Sequence, residues 1–509
     1  MRRASRCLRK WAALAIVGIV AVKAARSQQH CRRTGDIASR SVIMRITWAL
    51  AVVISSLACD SSERIDTPNL LVLSGATLID GTGAPPVSNS EIVLSGDRIL
   101  RVGTRGAFSY PGGTRITDLS GRWIVPGFMD LHAHVPRDLE EQKQVMRTLL
   151  AFGITGFRNP SETTEITGTH LRDRLARKEL VGPRMWTAGR LIDAPGSVWE
   201  FAEIAASEDE IRTVVRRQAA QRVDYVKLYT GLQPALVGAA IDEAHRHGLK
   251  VIGHLGKTGW AAAARAGIDA VTHTGDNRPG WELLPFERQP EFADFYSPGA
   301  KPPSLKKVIE FVSLLDANGP PIATLASTLA EEQVEVNPNL VLTWASVYGS
   351  DPNMLKRLEP QFALERLRKA WEGKPHPWSP PKELQSLANR GYAFDEQLVV
   401  RLHKAGVLLT AGTDTGVTGP WMVPAVSLHV DLQLLQAAGI PAADVLRIGT
   451  SNGARALGVT DRLGTIEGGK LADVVVLGAD PLVDIANTRQ VVLVMKAGET
   501  YTPESLLKR

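Results

Sequence analysis

Cysteine is scarce in this chain, and the positions of its few cysteines limit the chemistry of the rest. The sequence has 509 residues and 3 cysteines, at Cys7, Cys31 and Cys59. The remainder of the chain can therefore form neither a disulfide bond nor a cysteine metal site. A metal bound there has to be held by histidine, carboxylate or lysine chemistry.

A basic surface is also missing from most of the chain, although the formal net charge of the whole is +6. Residues 1–43 carry ten Lys or Arg side chains and one acidic residue, Asp36, so their net charge is +9 and that of residues 44–509 is −3. The basic character belongs to the N-terminal leader. Because the folded part has no basic stripe, nucleic acid is excluded as a partner.

Long hydrophobic runs are absent from the leader as well. Residues 11–22 are apolar behind a basic start, and a second Met, Met44, precedes another apolar run at residues 48–58. Both runs are shorter than the roughly 20 residues that span a membrane. We expect a targeting segment instead.

The second run resembles a bacterial lipoprotein signal, in which the final cysteine is lipidated after cleavage. Cys59 is that cysteine, and Ser56 stands where such signals usually have Leu. Residues 1–59 are thus expected to be an export region, with translation starting at Met44. This predicts a periplasmic, lipid-anchored or secreted protein, attached to a membrane, if at all, through its N-terminus. A single uncleaved anchor helix is the alternative.

Both ends of the mature chain have the same pattern of short alternating strands separated by turn residues. Residues 66–124 contain such segments with a turn at Asp80-Gly81, and residues 459–509 contain DVVVL at 473–477 and VVLVM at 491–495. This pattern is typical of antiparallel β-structure. We predict that the two ends form one small β-sandwich.

Residues 125–458 repeat a different pattern, in which a helix-like segment ends at Gly and an apolar strand follows at once. Gly153, Gly248, Gly267 and Gly406 mark four of these junctions, and Gly is the favoured residue just past a helix. The repeat indicates βα units and a parallel sheet. The predicted fold class is therefore α/β, a (β/α)8 TIM barrel with strands near residues 124, 154, 184, 223, 250, 269, 340 and 407.

Two long intervals, 276–339 and 346–392, interrupt the repeat and are rich in proline and aromatic residues. Excursions of this length from a compact barrel are usually functional loops or lids. A packed surface subdomain without ligand contact is the alternative.

Polar side chains recur where the predicted strands end. Six of them fall at a carboxyl end, and these are His132, His134, Lys227, His254, His273 and Asp414. Barrel enzymes build their active sites on this rim. Imidazole and carboxylate groups suit zinc without any cysteine.

At these residues the chain resembles the amidohydrolase superfamily, especially its imidazolonepropionase-like and Xaa-Pro-dipeptidase-like members. The resemblance extends over residues 70–500. The blocks that carry it are VPGFMDLHAH at 125–134, DYVK at 224–227, GIDAVTH at 267–273, AGTD at 411–414 and GTIEGGKLAD at 464–473.

The resemblance implies two divalent metals, usually zinc. It assigns His132, His134 and Asp414 to a buried metal. It assigns His254 and His273 to a more exposed one, with a carbamate formed from carbon dioxide on Lys227 as the bridge. A lysine among apolar neighbours can lose its proton and react in this way. A metal-bridging hydroxide would attack the substrate while Asp414 carries the proton to the leaving nitrogen.

Three further residues are candidate substrate contacts: Tyr229, two residues past Lys227, and also Arg158 and His429. The chain departs from its relatives at two places nearby. Asn159 stands where relatives often have Asp, and Thr272 where they commonly have Glu.

The sequence therefore predicts a metal-dependent hydrolase of C–N bonds that acts on a small molecule or short peptide. The favoured substrate is a dipeptide of the Xaa-Pro type or an N-acyl amino acid. A cyclic amide or lactone is the alternative within enzymes. A catalytically degenerate envelope binding protein is the alternative from another class.

Overall fold

The computed structural model describes residues 62–508 apart from 163–166, 276–279, 293–303, 350, 373, 375, 377–378 and 417–420. Its contacts divide the chain into two units, Met1–Arg64 and Ile65–Arg509. Of the first unit only residues 62–64 are described, with a strand β1 at Glu63–Arg64. The predicted export region, 1–59, lies outside the described residues. Among the helices that are described, none has the length and apolar composition needed to cross a bilayer.

The second unit alternates between strands and helices. Its strands are β2 (Leu70–Ser74), β3 (Thr77–Leu78), β4 (Ser90–Ser95), β5 (Arg98–Thr104), β6 (Phe108–Ser109), β7 (Arg115–Asp118), β8 (Trp123–Pro126), β9 (Phe128–Asp130), β10 (Ile154–Asn159), β11 (Arg184–Thr187), β12 (Ile192–Asp193), β13 (Glu203–Ile204), β14 (Tyr225–Leu228), β15 (Lys250–Gly253), β16 (Ala270–Thr272), β17 (Glu335–Asn337), β18 (Leu408–Leu409), β19 (Val474–Leu477), β20 (Val491–Lys496) and β21 (Glu499–Tyr501).

The α-helices cover Leu139–Ala151, Thr167–Ala176, Glu208–Ala220, Pro234–Arg246, Trp260–Arg265, Leu305–Leu314, Pro320–Glu331, Leu340–Val347, Pro352–Arg357, Glu365–Trp371, Gln385–Lys404, Val426–Ala437, Ala442–Ile448, Ser451–Leu457 and Pro503–Leu507. Short 3-10 helices lie at Gly280–Leu283, Phe286–Glu291, Pro360–Phe362, Lys382–Leu384 and Ile485–Arg489.

The two chain ends meet in one sheet. Its order is β21-β20-β19-β8-β3, so strands from both ends pair with each other, and Val475 lies opposite Val125. A second sheet, β5-β4-β2-β7, uses the N-terminal strands alone. Leu73 and Ile92 from that sheet share one buried apolar cluster with Ile124 from the first. Packing of these apolar faces holds the two sheets together.

The central strands form two parallel sheets. Their orders are β11-β10-β9 and β13-β12-β14-β15-β16-β17-β18. Single parallel bridges join the two sheets: Ala188, just past β11, pairs with Tyr225 on β14, and Ala133, past β9, pairs with Thr415, past β18. Helices connect most of the successive strands, apart from β11, β12 and β13, which follow one another directly, and the class is α/β as predicted. The junction glycines have the expected left-handed backbone, with φ of 82° at both Gly153 and Gly406.

One predicted strand is wrong in position. The strand expected near residue 340 lies at Glu335–Asn337, and Leu340–Val347 is a helix. Asn339 turns the chain with a φ of 55°, and the Asp431 carboxylate accepts a hydrogen bond from the Val341 amide at the start of this helix. A short apolar run does not distinguish a buried strand from a buried helix. The actual strand lacks an apolar run because two of its three residues are polar.

The first long interval carries a packed subdomain. Leu284, Phe292 and Phe311 form a small apolar cluster of their own. The Trp281 indole donates a hydrogen bond of 3.2 Å to the carbonyl oxygen of Gly256. This contact ties the subdomain to the loop that follows β15, next to the strand end that carries His254.

Candidate metal centre

The six predicted ligands all lie at or just past the carboxyl ends of parallel strands. His132 and His134 follow β9, Lys227 belongs to β14, His254 follows β15, His273 follows β16 and Asp414 follows β18. Because carboxyl ends of parallel strands meet at one edge, the sheets bring these side chains to the same rim.

Three of them converge on one point. The Nε2 atoms of His132 and His134 each lie 3.1 Å from Oδ1 of Asp414. Among the described residues, these three form a set whose ligand atoms all lie within 4.8 Å of one another. Ligands about 2.0–2.2 Å from a tetrahedral zinc ion are about 3.3 Å apart. The arrangement therefore fits a divalent metal with little movement.

The other three side chains stand beside this set. The His273 ring lies 4.7 Å from that of His132 and 4.5 Å from that of His254. Lys227 is buried, and its Nζ donates to Oγ1 of Thr272 at 3.3 Å. Burial lowers the pKa of Lys227 to about 7. Burial thus favours the neutral amine, which is the form that reacts with carbon dioxide.

Two of the six side chains stand on an unusual backbone. His273 has a φ of 69° and Asp414 a φ of 56°. Non-glycine residues in this left-handed region store strain that the surrounding structure must offset, and such strain is concentrated at functional sites. Here it occurs at His273, directly after β16, and at Asp414, five residues past β18.

Sequence reasoning assigned no role to Asp130, which joins two ligand segments. Its carboxylate accepts hydrogen bonds from the amides of His132 (3.1 Å) and Thr413 (3.2 Å) and from the Thr413 hydroxyl (2.8 Å). Burial raises the pKa of Asp130 to about 7 against the opposing effect of these bonds. The residue lies in the VPGFMDLHAH block two positions before His132, so the alternation of a strand was the available signal.

Tyr229 is the predicted substrate contact that the structure places at the rim. Its ring is half-buried and lies 4.7 Å from the ring of His254 at an interplanar angle of 64°. Thr272, one of the two departures from relatives, provides the oxygen that Lys227 contacts. The other departure, Asn159, donates to Glu162 and to the Thr187 hydroxyl.

The structure does not support the other two substrate contacts. Arg158 is fully buried, and its guanidinium is engaged by the Glu335 carboxylate on β17. His429 is also fully buried, with Nδ1 2.9 Å from the Thr488 hydroxyl and Nε2 2.9 Å from the carbonyl oxygen of Phe152. Neither side chain has surface left for a substrate. Closeness to a strand end in sequence did not reveal the direction of the side chain.

Comparison with known structures shows the fold. A Xaa-Pro dipeptidase with bound methionine superimposes with a TM-score of 0.63 at 18% identity, covering 85% of this chain and 100% of that one. A prolidase-like protein from Bifidobacterium longum gives 0.62 at 22% identity, covering 85% and 94%. The ochratoxinase of A. niger gives 0.61 at 17% identity, covering 85% and 96%. At these identities the likeness establishes a TIM-barrel-like α/β fold.

Sequence comparison finds partial relatives. The adenine deaminase of Rubrobacter xylanophilus is 31% identical over 109 residues, which is 21% of this chain and 18% of the relative. That of Sinorhizobium fredii is 40% identical over 103 residues, 20% of this chain and 17% of the relative. This chain therefore matches less than a fifth of the length of each of these relatives.

The family comparison extends much further along the chain. The model of the amidohydrolase family matches residues 123–280 and 395–501, more than half of the sequence, and these segments contain all six rim residues. The resemblance on which the sequence prediction rested is confirmed. This chain belongs to the amidohydrolase family, whose members are hydrolases that generally use a divalent metal.

Proposed function

We propose that this chain is a binuclear metal-dependent amidohydrolase that cleaves a C–N amide bond in a small substrate. The favoured substrate is a dipeptide of the Xaa-Pro type or an N-acyl amino acid. The convergence of His132, His134 and Asp414 on one point, with a buried lysine beside it, is the observation that carries the proposal.

In this proposal His132, His134 and Asp414 hold one metal, and His254 and His273 hold the other. Lys227 would add through Nζ to carbon dioxide with loss of one proton, and the resulting carbamate would supply an anionic ligand beside both sets of residues. The lowered pKa of this amine supports the step. A bound divalent metal, proposed here as zinc, lowers the pKa of a coordinated water and polarises a carbonyl oxygen.

Asp414 is proposed to move the proton. Burial alone would raise the pKa of this carboxyl, but the His132 imidazole beside it holds the pKa well below its usual range. An ionised carboxylate can accept a proton from the attacking water and deliver it to the leaving nitrogen. Tyr229, on the rim beside His254, is positioned to contact the substrate.

Two structural expectations belong to the same proposal. The bridges from Ala188 to Tyr225 and from Ala133 to Thr415 support closure of β9–β11 and β14–β18 into one eight-stranded barrel, without the short strands β12 and β13. The shared apolar cluster supports a β-sandwich made from both chain ends. Export through residues 1–59, with or without lipid attachment at Cys59, is proposed from the sequence alone.

A second candidate function is hydrolytic deamination of a purine. The partial relatives are adenine deaminases, and replacement of an exocyclic amino group by water uses the same chemistry at a different carbon. A cyclic amide or lactone remains the other enzyme alternative.

The test is metal analysis of the purified chain together with a turnover panel. The panel contains Xaa-Pro dipeptides, N-acyl amino acids, adenine, and cyclic amides and lactones, each with and without a chelator. Close to two metals per chain with chelator-sensitive turnover of an amide supports the proposal. Turnover of adenine alone would favour the second candidate function, hydrolytic deamination. Stable metal loading without turnover of any class would favour the envelope binding protein.

A further inference from the structure

We infer that the buried pair of Arg158 and Glu335 positions the backbone segments that carry the metal ligands. The inference rests on the proposed function and extends it to residues that touch neither metal nor substrate. Arg158 would thus be a positioning residue and not the substrate contact that the sequence suggested.

The pair joins strands of the two parallel sheets. Arg158 lies on β10 and Glu335 on β17, and the guanidinium makes two parallel bonds to the carboxylate, of 2.8 and 2.9 Å. Arg158 is fully buried and Glu335 almost so. The guanidinium also lies 5.1 Å from the ring centre of Tyr225, two residues before Lys227 on β14. The fork of a guanidinium fixes orientation as well as distance.

One arm of this network holds the segment of the two neighbouring histidines. The Arg158 Nε donates a hydrogen bond of 2.9 Å to the carbonyl oxygen of Leu131. Leu131 immediately precedes His132, and its own amide donates to the carbonyl oxygen of Ala411, three residues before Asp414. A shift of the guanidinium would therefore move the peptide from which His132 projects.

The other arm reaches the segments of Asp414 and His273. The Thr410 hydroxyl donates to Oε1 of Glu335 at 2.7 Å, and the Asn337 amide group donates to that hydroxyl at 3.0 Å. The backbone carbonyl of Asn337 accepts from the His273 amide at 2.9 Å. Glu335 thus links β10 to the two strands, β17 and β18, whose ends bound the centre.

Stability alone is a poor reason for this pair. Removing two charges from water costs several kcal/mol each, and apolar replacement of a buried ion pair is often neutral or stabilising. The planar guanidinium of an ion pair fixes the relative position and orientation of the groups that it bonds, whereas an apolar pair does not. The bonds to Leu131 and Thr410 indicate which geometry is fixed here.

The test compares Arg158→Lys with Arg184→Lys. Arg184 pairs with Asp473 at 3.0 Å and is only partly buried, on the strand next to β10 and far from the ligand segments. Each variant is measured for zinc affinity by chelator competition, for the visible spectrum of its cobalt form, and for thermal unfolding without metal. We expect Arg158→Lys to weaken zinc binding roughly 10–100-fold, as loss of an outer-sphere partner does, and to change the cobalt spectrum. Arg184→Lys should change neither.

A second variant covers the case in which Arg158→Lys does not fold. The double substitution Arg158→Met with Glu335→Met replaces the pair with apolar side chains and should fold, yet it should show the same loss of zinc affinity. Wild-type zinc affinity and an unchanged cobalt spectrum in either folded variant would overturn the inference and leave the pair a structural element. If the unmodified chain itself bound no metal, the proposed function would fail, and this result is separate from both.

Discussion

The proposed centre has a first half, made of His132, His134 and Asp414, and a second half, made of His254 and His273. The two halves differ in how closely their ligand atoms already converge. His132, His134 and Asp414 already have their ligand atoms in place, with both Nε2 atoms 3.1 Å from one carboxylate oxygen. His254 and His273 have ring centres 4.5 Å apart at an interplanar angle of 47°, and they belong to no such set of three among the described residues. Backbone bonds through Asp130 fix the first half, whereas the second lacks the anionic ligand that a modified Lys227 would add. The first half should therefore bind metal before the lysine reacts, and the second only afterwards.

Removal of Asp414 should have the largest effect, because both the first metal and the proton transfer depend on it. We expect Asp414→Asn to lower kcat by about 10²–10⁴-fold, the usual contribution of a positioned acid–base group, and to weaken the first metal as well. Steady-state kinetics and metal analysis measure both. Activity within a few-fold of the wild type would show that another group carries the proton.

Removal of the Lys227 amine should affect metal binding in the second half but not in the first. Lys227→Met keeps most of the length of the side chain but cannot form a carbamate, so the metal content should fall from about two per chain to about one. Equilibration with bicarbonate and zinc should restore the full content in the wild type alone. The matched control is Lys496→Met, since burial also lowers the pKa of Lys496, to about 8, on the distant strand β20. A variant that retains two metals would contradict the proposed bridge.

The sequence could place the six rim residues at strand ends because the signals for that position are local. The glycine before a strand shows where the strand begins, and the alternation of the strand shows which residues share a face. Gly248, for example, marks the start of the strand that ends just before His254. Their convergence on one centre follows from the rule that parallel strands end on one edge. The sequence could not show where long side chains would point. Arg158 turns inward to Glu335, which is 177 residues away in the sequence, and His429 turns to Phe152 and Thr488.

The strand that contains Glu335 shows the same limit for the fold. Glu335–Asn337 has one apolar residue out of three, and each of its polar side chains is buried because a distant partner bonds it. Hydrophobic pattern predicts a strand only when burial and apolarity coincide. A buried strand that contains an ion-paired residue does not have this pattern. The prediction therefore fell on the neighbouring apolar run, 340–347.

A change at Asp130 should weaken the first half without removing a ligand. Asp130→Asn turns one of its acceptors into a donor facing the Thr413 hydroxyl, and we expect metal affinity to fall roughly 10–100-fold. Asp193→Asn is the control, because Asp193 is a buried carboxylate that accepts from the amides of Ala194 and Gly231 and makes neither of these bonds to one of the six rim residues. Equal losses in the two variants would indicate general destabilisation instead of a specific clamp.

The smallest effect concerns the subdomain beside the second half. The Glu282 carboxylate accepts a hydrogen bond from the amide of Ala261, in the helix that follows His254, and burial raises its pKa to about 7. The folded state therefore holds a proton that the unfolded chain releases above its ordinary pKa of 4.5, so this group makes unfolding easier as pH rises from about 4.5 to 7. In metal-free protein, Glu282→Gln should reduce that decline by on the order of 1 kcal/mol, as measured by urea unfolding across this range. The exposed Glu287→Gln should leave the pH profile unchanged. If the two variants gave the same profile, the carboxylate at 282 would be ionised in the folded state, and acid would not tighten the contact between the subdomain and the second half.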